Sequence, residues 1–247
     1  MKDYEDAYGH EMLDCLNGKQ ASEIVEREDG FFDVSSSLGG ARYYFADYKD
    51  WHTREKLALR YARGNTIDIG CGAGRVSLYL QKKGLEVLGV DISPLAIRVC
   101  KLRGLRKARV IPITKLEPSV GTFDTIVMFG NNFGLFGNPK RAKWLLKRFY
   151  NMTADNGRII AESIDPYKTK DPAHLRYQAL NRKRRRLPGQ LRIRVRYRNY
   201  ATPWFQYLIV SKAEMRKILE GTGWTIRRTF ESRNGPYTAV IEKVKQS

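Results

Sequence analysis

A chain of 247 residues with 45 lysines and arginines against 26 aspartates and glutamates carries a formal charge of +19. Its 42% hydrophobic and 29% charged residues are ordinary for a globular domain and exclude a disordered chain, and the length fits one large domain, or one with a cap, better than two. No apolar run approaches the ~20 residues that cross a bilayer. The opening MKDYEDAYGHEMLDCLNG is polar and acidic, unlike a secretory leader, so a cytoplasmic protein with no membrane partner is expected.

Cys15, Cys71 and Cys100 show no paired spacing, and His10, His52 and His174 lie far apart. No metal site is expected, and the cysteines read as small packing residues. The charge favours polyanionic or acidic partners, which is a statement about association and not about fold.

Residues 1–60 hold the aromatic cluster Arg42-Tyr43-Tyr44-Phe45, then Tyr48 and Trp51, and read as a cap. From 65 to 164 strands and helices alternate, which implies a parallel sheet covered on both faces. Thr66–Ile69 is a strand entering a glycine-rich turn, followed by a helix from about Arg75 to Lys83 and a strand from Glu86 to Val90. Ser93-Pro94 opens the next helix with a preferred cap and first residue. Strands follow at Arg109–Ile113 and Thr122–Phe129. Asn138-Pro139 opens a helix whose Ala142, Leu145, Leu146, Phe149 and Tyr150 form one apolar stripe. Gly157 is placed to cap its end, before a strand at Arg158–Ile164.

The pattern breaks at 165–210, a basic stretch with two strand-like runs, Leu191–Arg198 and Trp204–Val210. Ser211 and Glu214 form a capping box for a helix with Met215, Ile218 and Leu219 on one face. Trp224–Glu231 and Tyr237–Val244, joined by Asn234-Gly235-Pro236, make an antiparallel pair.

The strongest signal is Asp68-Ile69-Gly70-Cys71-Gly72-Ala73-Gly74, with Asp91 ending the next strand 21 residues after Gly70. Glycines in a strand-to-helix turn let backbone N–H groups approach a ligand, and an acid about 20 residues on is placed for ribose hydroxyls. A nicotinamide site would need G-x-G-x-x-G, but the third glycine position falls on Arg75 or Ser77. With its D-x-G-x-G-x-G motif the sequence resembles the class I S-adenosylmethionine (SAM) dependent methyltransferases over about residues 60–164 and 211–247.

That resemblance implies an α/β, Rossmann-like, doubly wound seven-stranded sheet with the last strand antiparallel; the N-terminal segment reads as a cap, and the stretch from Asp165 to Ser211, which leaves and rejoins the core, as an inserted β-hairpin or lid. The expected segments are the cap (1–60), the SAM-binding core (61–164), the basic insertion (165–210) and a closing helix with two strands (211–247). It implies SAM as cofactor and S-adenosyl-L-homocysteine (SAH) as product, with Asp68, Gly70, Cys71, Gly72 and Gly74 at the methionine end. Asp91 would meet the ribose and Ile92 the adenine, and Tyr44, Gly130 and Asn131 complete the cofactor set. Where related chains carry an acid after the third strand, this one has Ile111-Pro112-Ile113-Thr114.

Ligands of open α/β sheets bind beyond the carboxyl ends of the strands. Phe129-Gly130-Asn131-Asn132-Phe133-Gly134 and Asp165-Pro166-Tyr167 therefore face the methyl acceptor, although Gly-Asn runs also make turns for local reasons. Asn131, Asp165, Tyr167 and His174 are the catalytic candidates, and Asn132 and Tyr177 candidates for binding the acceptor. Residues 182–186 read Arg-Lys-Arg-Arg-Arg, and Arg192, Arg194, Arg196 and Arg198 alternate with apolar residues, which on a strand puts four guanidinium groups on one face. Arg192, Arg194 and Arg196 could grip an anionic acceptor or RNA phosphates. They could equally pair with Glu23, Glu26, Glu28, Asp29 and Asp33. A small-molecule acceptor is favoured over RNA or protein, with a non-catalytic SAM-binding module also open, in a monomer or a homodimer.

Overall fold

Apolar strands separated by capped helices build a seven-stranded sheet, in a computed structural model that describes residues 1–34 and 40–244. The chain begins with α1 (Ala7–Leu16), β1 (Ile24–Arg27), β2 (Phe32–Val34) and α2 (Thr53–Leu59). Residues 35–39 of the expected cap lie outside the described residues. Next come β3 (Thr66–Ile69), α3 (Arg75–Lys82), β4 (Val87–Asp91), α4 (Pro94–Leu102), β5 (Lys107–Val110) and β6 (Phe123–Met128). Then follow α5 (Pro139–Asn151), β7 (Thr153–Ile164), α6 (Pro172–Lys183), β8 (Gln190–Tyr197), β9 (Tyr200–Ala201), β10 (Phe205–Leu208), α7 (Lys212–Leu219), β11 (Trp224–Glu231) and β12 (Pro236–Lys243).

The sheet order is β11-β12-β7-β6-β3-β4-β5. β3 pairs in parallel with β4, β4 with β5, and β6 with β7, while β12 runs antiparallel to both neighbours. This is the Rossmann-like arrangement that the resemblance implied, its parallel part expected from the alternation of elements. Every residue of β3 is buried, as a strand covered on both faces requires.

The caps fall where the side chains dictate. Ser93 Oγ accepts the Ala96 N–H, Asn138 Oδ1 the Arg141 N–H, and Ser211 and Glu214 form a reciprocal box. Among the boundaries that differ from the sequence reading, two have a clear local cause. β5 begins two residues early and stops at Val110, because Pro112 has no N–H to give a ladder. Gly157 does not cap α5, which ends at Asn151; it lies inside β7. There the pairing jumps from Phe123↔Thr153 to Thr125↔Arg158, so residues 154–157 bulge out of the ladder.

Two compact units divide the chain. The first comprises Met1–Trp51, Thr66–Lys115 and Arg192–Phe205, the second His52–Asn65, Leu116–Leu191 and Gln206–Ser247. In the first, β1 pairs with β2 and β8, and β9 with β8, all antiparallel. The strand-like run at 191–198 thus joins the N-terminal strands, while 172–183, within the expected basic stretch, is helix α6 capped by Asp171.

Asp6 joins α1 to α4. Its Oδ1 accepts the Gly9 N–H at 3.0 Å and its Oδ2 the Leu95 N–H at 3.2 Å, so one carboxylate serves two helix N-termini, where negative charge is favoured. The approach is tight, for a Cβ on Gly9 would lie 2.5 Å from both Asp6 Oδ1 and Ser93 Oγ. Gly9→Ala is therefore expected to destabilise the protein by about 1–3 kcal/mol despite alanine's better helix propensity, read as a lowered denaturation midpoint in thermal or urea unfolding. An unchanged or raised midpoint would mean that α1 is not seated on α4 in this way.

Candidate functional site

At the end of β3 the chain turns through Gly70, Gly72 and Gly74, all with positive φ (72°, 54° and 81°), a conformation that other residues enter only with strain. The Gly70 and Cys71 N–H groups both donate to Val90 O, fastening the turn to the end of β4. Asp91 Oδ2 accepts the Gly72 N–H and its Oδ1 the Ser93 N–H, both at 3.0 Å. Burial pushes its carboxyl upward against these two hydrogen bonds, and each oxygen keeps lone-pair capacity for a further donor. Beside it, Ile92 is 49% exposed, a large apolar side chain open to a flat partner.

Asp68 lies beneath the turn, 2% exposed, and accepts from Ser77 Oγ at 2.6 Å. Burial raises its carboxyl to about 6, with Ser77 and Arg75 opposing the shift. Cys71 Sγ sits 3.8 Å from Cys100 Sγ, and Cys100 donates to Gly72 O. The two buried thiols pack the back of the turn, and the contact with Cys100 together with burial pushes the Cys71 thiol well up.

The N-terminal segment covers this turn. A Cβ on Gly72 would lie 3.2 Å from Met12 Cε and 3.9 Å from Tyr44 Cδ1. The Arg75 guanidinium lies over the rings of Tyr43 and Trp51 at 4.3 and 4.4 Å and donates to Tyr43 Oη. Tyr44 donates to Glu23 Oε1 at 3.2 Å. Glu23 shares its site with Glu11 of α1, which is 0% exposed, and neither Glu11 oxygen has a hydrogen-bond partner among the described residues. Burial, then Glu23, raises the Glu11 carboxyl to about 10. Only a proton held on Glu11 reconciles two carboxyls in one dry site. Sequence reading missed this pair, since a polar opening gives no cue that one of its acids is enclosed.

The arginine row of β8 alternates as expected, with Ile193, Val195 and Tyr197 buried between. Its partners are the acids of the N-terminal segment. Arg194 Nε meets Glu26 Oε2 at 2.8 Å, Arg196 the same oxygen at 3.5 Å, Arg192 reaches Glu28 at 3.7 Å and Arg198 Asp14 at 3.1 Å. Hydrogen bonding from Arg194 holds the Glu26 carboxyl below its ordinary value. Arg192 and Arg194 also lie over the Trp204 ring. Of the two readings open for this row, internal pairing is the one formed.

In the second unit, β6 is followed after Phe129 by Gly130 and Asn131, both left-handed at φ 69° and 62°. The Gly130 N–H donates to Glu162 Oε2 at 2.6 Å, and Glu162, buried in β7, pairs with Arg54 at 3.2 Å. A carboxylate in the apolar run Arg158–Ile164 was the available signal for this contact. Asn131 O accepts from Tyr207 Oη at 2.7 Å, and Asn132 begins a 3₁₀ turn. At the end of β7, Asp165 caps another such turn by accepting the Tyr167 N–H.

Tyr167 is 49% exposed, and its hydroxyl donates to Glu214. Burial and Glu214 push that phenol up to about 12, so it is a donor and not a base near neutrality. His174 Nδ1 lies 3.3 Å from Thr169 Oγ1 on the first turn of α6. Tyr177, expected to meet an acceptor, is 2% exposed on the inner face of α6 and so is placed for packing.

The chain matches the family model described as "Methyltransferase domain" over residues 67–157. It is 29% identical over 127 residues to the magnesium-protoporphyrin O-methyltransferase of Rhodobacter capsulatus, covering 43% of this chain and 56% of that protein. It is also 29% identical over 79 residues to the ubiquinone biosynthesis O-methyltransferase of Nitrosomonas europaea, covering 29% of this chain and 34% of that protein. The chain thus spans about half the length, or less, of the curated relatives it matches. Among solved structures, a SAM-dependent methyltransferase from Bacteroides fragilis in complex with SAH aligns with a TM-score of 0.83 at 24% identity, over 99% of this chain and 98% of the other. That likeness concerns the fold. No helix of the described residues is long and apolar enough to cross a membrane.

The enclosed carboxyl gives stability a pH dependence. The folded chain keeps a proton on Glu11 that the unfolded chain releases above its ordinary value of 4.5, so this stability is full below 4.5 and is lost as pH rises toward about 10. Gln, a neutral isostere, has no such loss. Glu11→Gln should therefore gain on the native protein by up to about 1.4 kcal/mol per pH unit across that window. Thermal unfolding at pH 5.5 and 8.5 reads this directly: the gap between variant and native midpoints should widen at the higher pH, and a constant gap would place Glu11 in contact with water.

Proposed function

We propose, from the premise that the chain belongs to the class I SAM-dependent methyltransferase family, that it transfers the methyl group of SAM to a small acceptor. The observation that carries this reading is the turn of three left-handed glycines tied by Asp91 to the end of β4. In the first unit, the backbone of Gly70–Gly74, with Asp68 beneath it, receives the methionine end of SAM, with Tyr44 and Met12 as the neighbouring wall. Asp91 accepts the ribose hydroxyls, and the exposed Ile92 lies against adenine.

SAM supplies an activated methyl group on a sulfonium, so alignment for in-line displacement is the main task left to the protein. In the second unit, Asn131 and Asn132 after β6 and Asp165, Tyr167 and His174 after β7 are the candidates for the acceptor. Tyr167 serves there as a donor. Because the β8 arginines face the acids of β1, a small acceptor needs no anionic group to satisfy them. A second reading, methylation of RNA, is favoured by one feature only: Arg182–Arg186 are all exposed.

Isothermal titration should show SAM and SAH binding in the micromolar range. Asp91→Ala should weaken both about tenfold or more, through the lost hydroxyl contacts and the loosened Gly72 turn. Absence of binding above millimolar would end the reading, and an unchanged affinity in Asp91→Ala would place the cofactor elsewhere. Methyl-tritiated SAM incubated with metabolite, RNA and protein fractions of a cell extract then assigns the acceptor. Label in metabolites fits the proposal, label in RNA or protein replaces it, and binding without label in any fraction makes the chain a SAM-binding module.

A further inference from the structure

β5 is an open edge of the seven-stranded sheet: it pairs in parallel with β4 and ends the strand order on that side. Along such an edge alternate backbone N–H and C=O groups stay unpaired and template a further strand. Beside it runs a groove of about 430 Å³, walled by Pro94, Ile97, Arg98, Lys101 and Leu102 of α4 and by Val110 of β5. All of these residues belong to the first unit, and none is among those assigned to the cofactor. Ala108 is buried in one cluster with Ile97, Cys100 and Leu105. By the alternation of a strand, Val110 therefore faces the same helix, while Lys107 and Arg109 stand on the opposite side.

Two large apolar side chains are left in water here, Leu102 at 62% exposure and Val110 at 47%. Cations surround them. From Pro94 to Lys115 the sequence holds no acid at all. Arg106 and Lys107 pair with Glu86, at 3.5 and 2.8 Å. Arg98, Lys101 and Arg109 are exposed, and their side chains meet no acid or hydrogen-bond acceptor among the described residues. Cations on an edge strand discourage pairing between identical chains, which accounts for Lys107 and Arg109. It does not account for two exposed apolar residues beside them, since polar ones would protect the edge better.

We propose that this groove takes up an acidic, extended segment of a protein partner as a further strand on β5. The segment's apolar side chains lie between α4 and Val110, and its carboxylates lie on the side of Lys107 and Arg109, because cross-strand neighbours share a face. Backbone hydrogen bonds to the edge supply affinity, and pockets for alternate side chains supply specificity. Arg98 and Lys101, at the rim, draw in acids that flank the strand. A second copy of this chain is a poor occupant, for it would set Arg98, Lys101 and Arg109 against the same cations at close range.

Fluorescence polarisation with a labelled peptide of about eight residues, alternating glutamate and valine, tests this. At low ionic strength the peptide should bind the native protein with a Kd at or below about 100 μM. Combined reversal by Arg98→Glu, Lys101→Glu and Arg109→Glu should weaken binding about tenfold or more, and Val110→Lys by about as much. Both variants should keep the native unfolding midpoint, since all four side chains are exposed. On the native protein, the same peptide with its backbone amides N-methylated keeps charge and side chains but loses the ladder donors. It should bind about tenfold more weakly or worse; equal binding would reduce the contact to a polyanion on a basic face and overturn the added strand. No binding of the plain peptide at millimolar concentration, or native affinity in the reversed variant, would also overturn the proposal. So would a single-stranded oligonucleotide that binds more tightly through the same residues, or a dimer in sedimentation that Val110→Lys dissolves. Those outcomes give the groove to a nucleic acid or to a second copy.

Discussion

The end of β4 is where the first unit is tied together. Asp91 holds two backbone N–H groups, one in the glycine turn and one at the start of α4. The same helix start receives Asp6 on Leu95 and presents Ser93 Oγ to the Gly9 backbone, so α1 is registered on α4 by the groups that register α4 on the strand. Met12 of α1 then falls against Gly72. A displacement of Asp91 would thus be felt in the turn, in α4 and in the N-terminal wall at once. One carboxylate, placed by the parallel register of β3 and β4, sets all three.

The two units meet the same problem at a strand's carboxyl end with different chemistry. After β3 the turn is glycine at every left-handed position, and its surroundings are close: sulfur, methyl and ring atoms within 3–4 Å of where side chains would begin. After β6 a glycine is followed by a left-handed asparagine, and charged and phenolic groups brace the backbone from outside. The first turn is fastened from within, its Gly70, Cys71, Gly72 and Gly74 N–H groups bonded to Val90 O, Asp91 and Cys71 O, while the second is braced from outside by Glu162 and Tyr207.

Much of the fold was readable because its signals are local. The Asp68–Gly74 motif, Asp91 and the caps at Ser93, Asn138 and Ser211 act within a few residues, and each lies where the spacing placed it. Gly157 misled because glycine marks a helix end and a strand bulge equally well, and only the pairing with β6 decides between them. The Asp171-Pro172 start of α6 is a local signal of the same kind that the sequence reading did not use. The arginine row was legible as a row but not in its partners, since Glu26 and Arg194 are 168 residues apart. Glu11 and Tyr207 were silent for the same reason: enclosure is a property of the neighbours, and these come from distant segments.

That separation has a consequence for how the chain matures on the ribosome. β1 exposes a row of unpaired backbone groups and acids until β8 arrives, and its pairing runs Ile24↔Arg196 to Arg27↔Ile193. At a synthesis rate of about 5–20 residues per second, the wait is on the order of ten to thirty seconds. During it the glycine turn and its sheet neighbours can already form, because residues 66–110 are contiguous and their contacts are short in sequence. The wall over the turn, made by Met12, Tyr43, Tyr44 and Trp51, needs no later segment, whereas β1 spends that interval as an open strand edge. Its charged Glu26 and Arg27 are what keep such an edge from pairing with a neighbouring nascent chain.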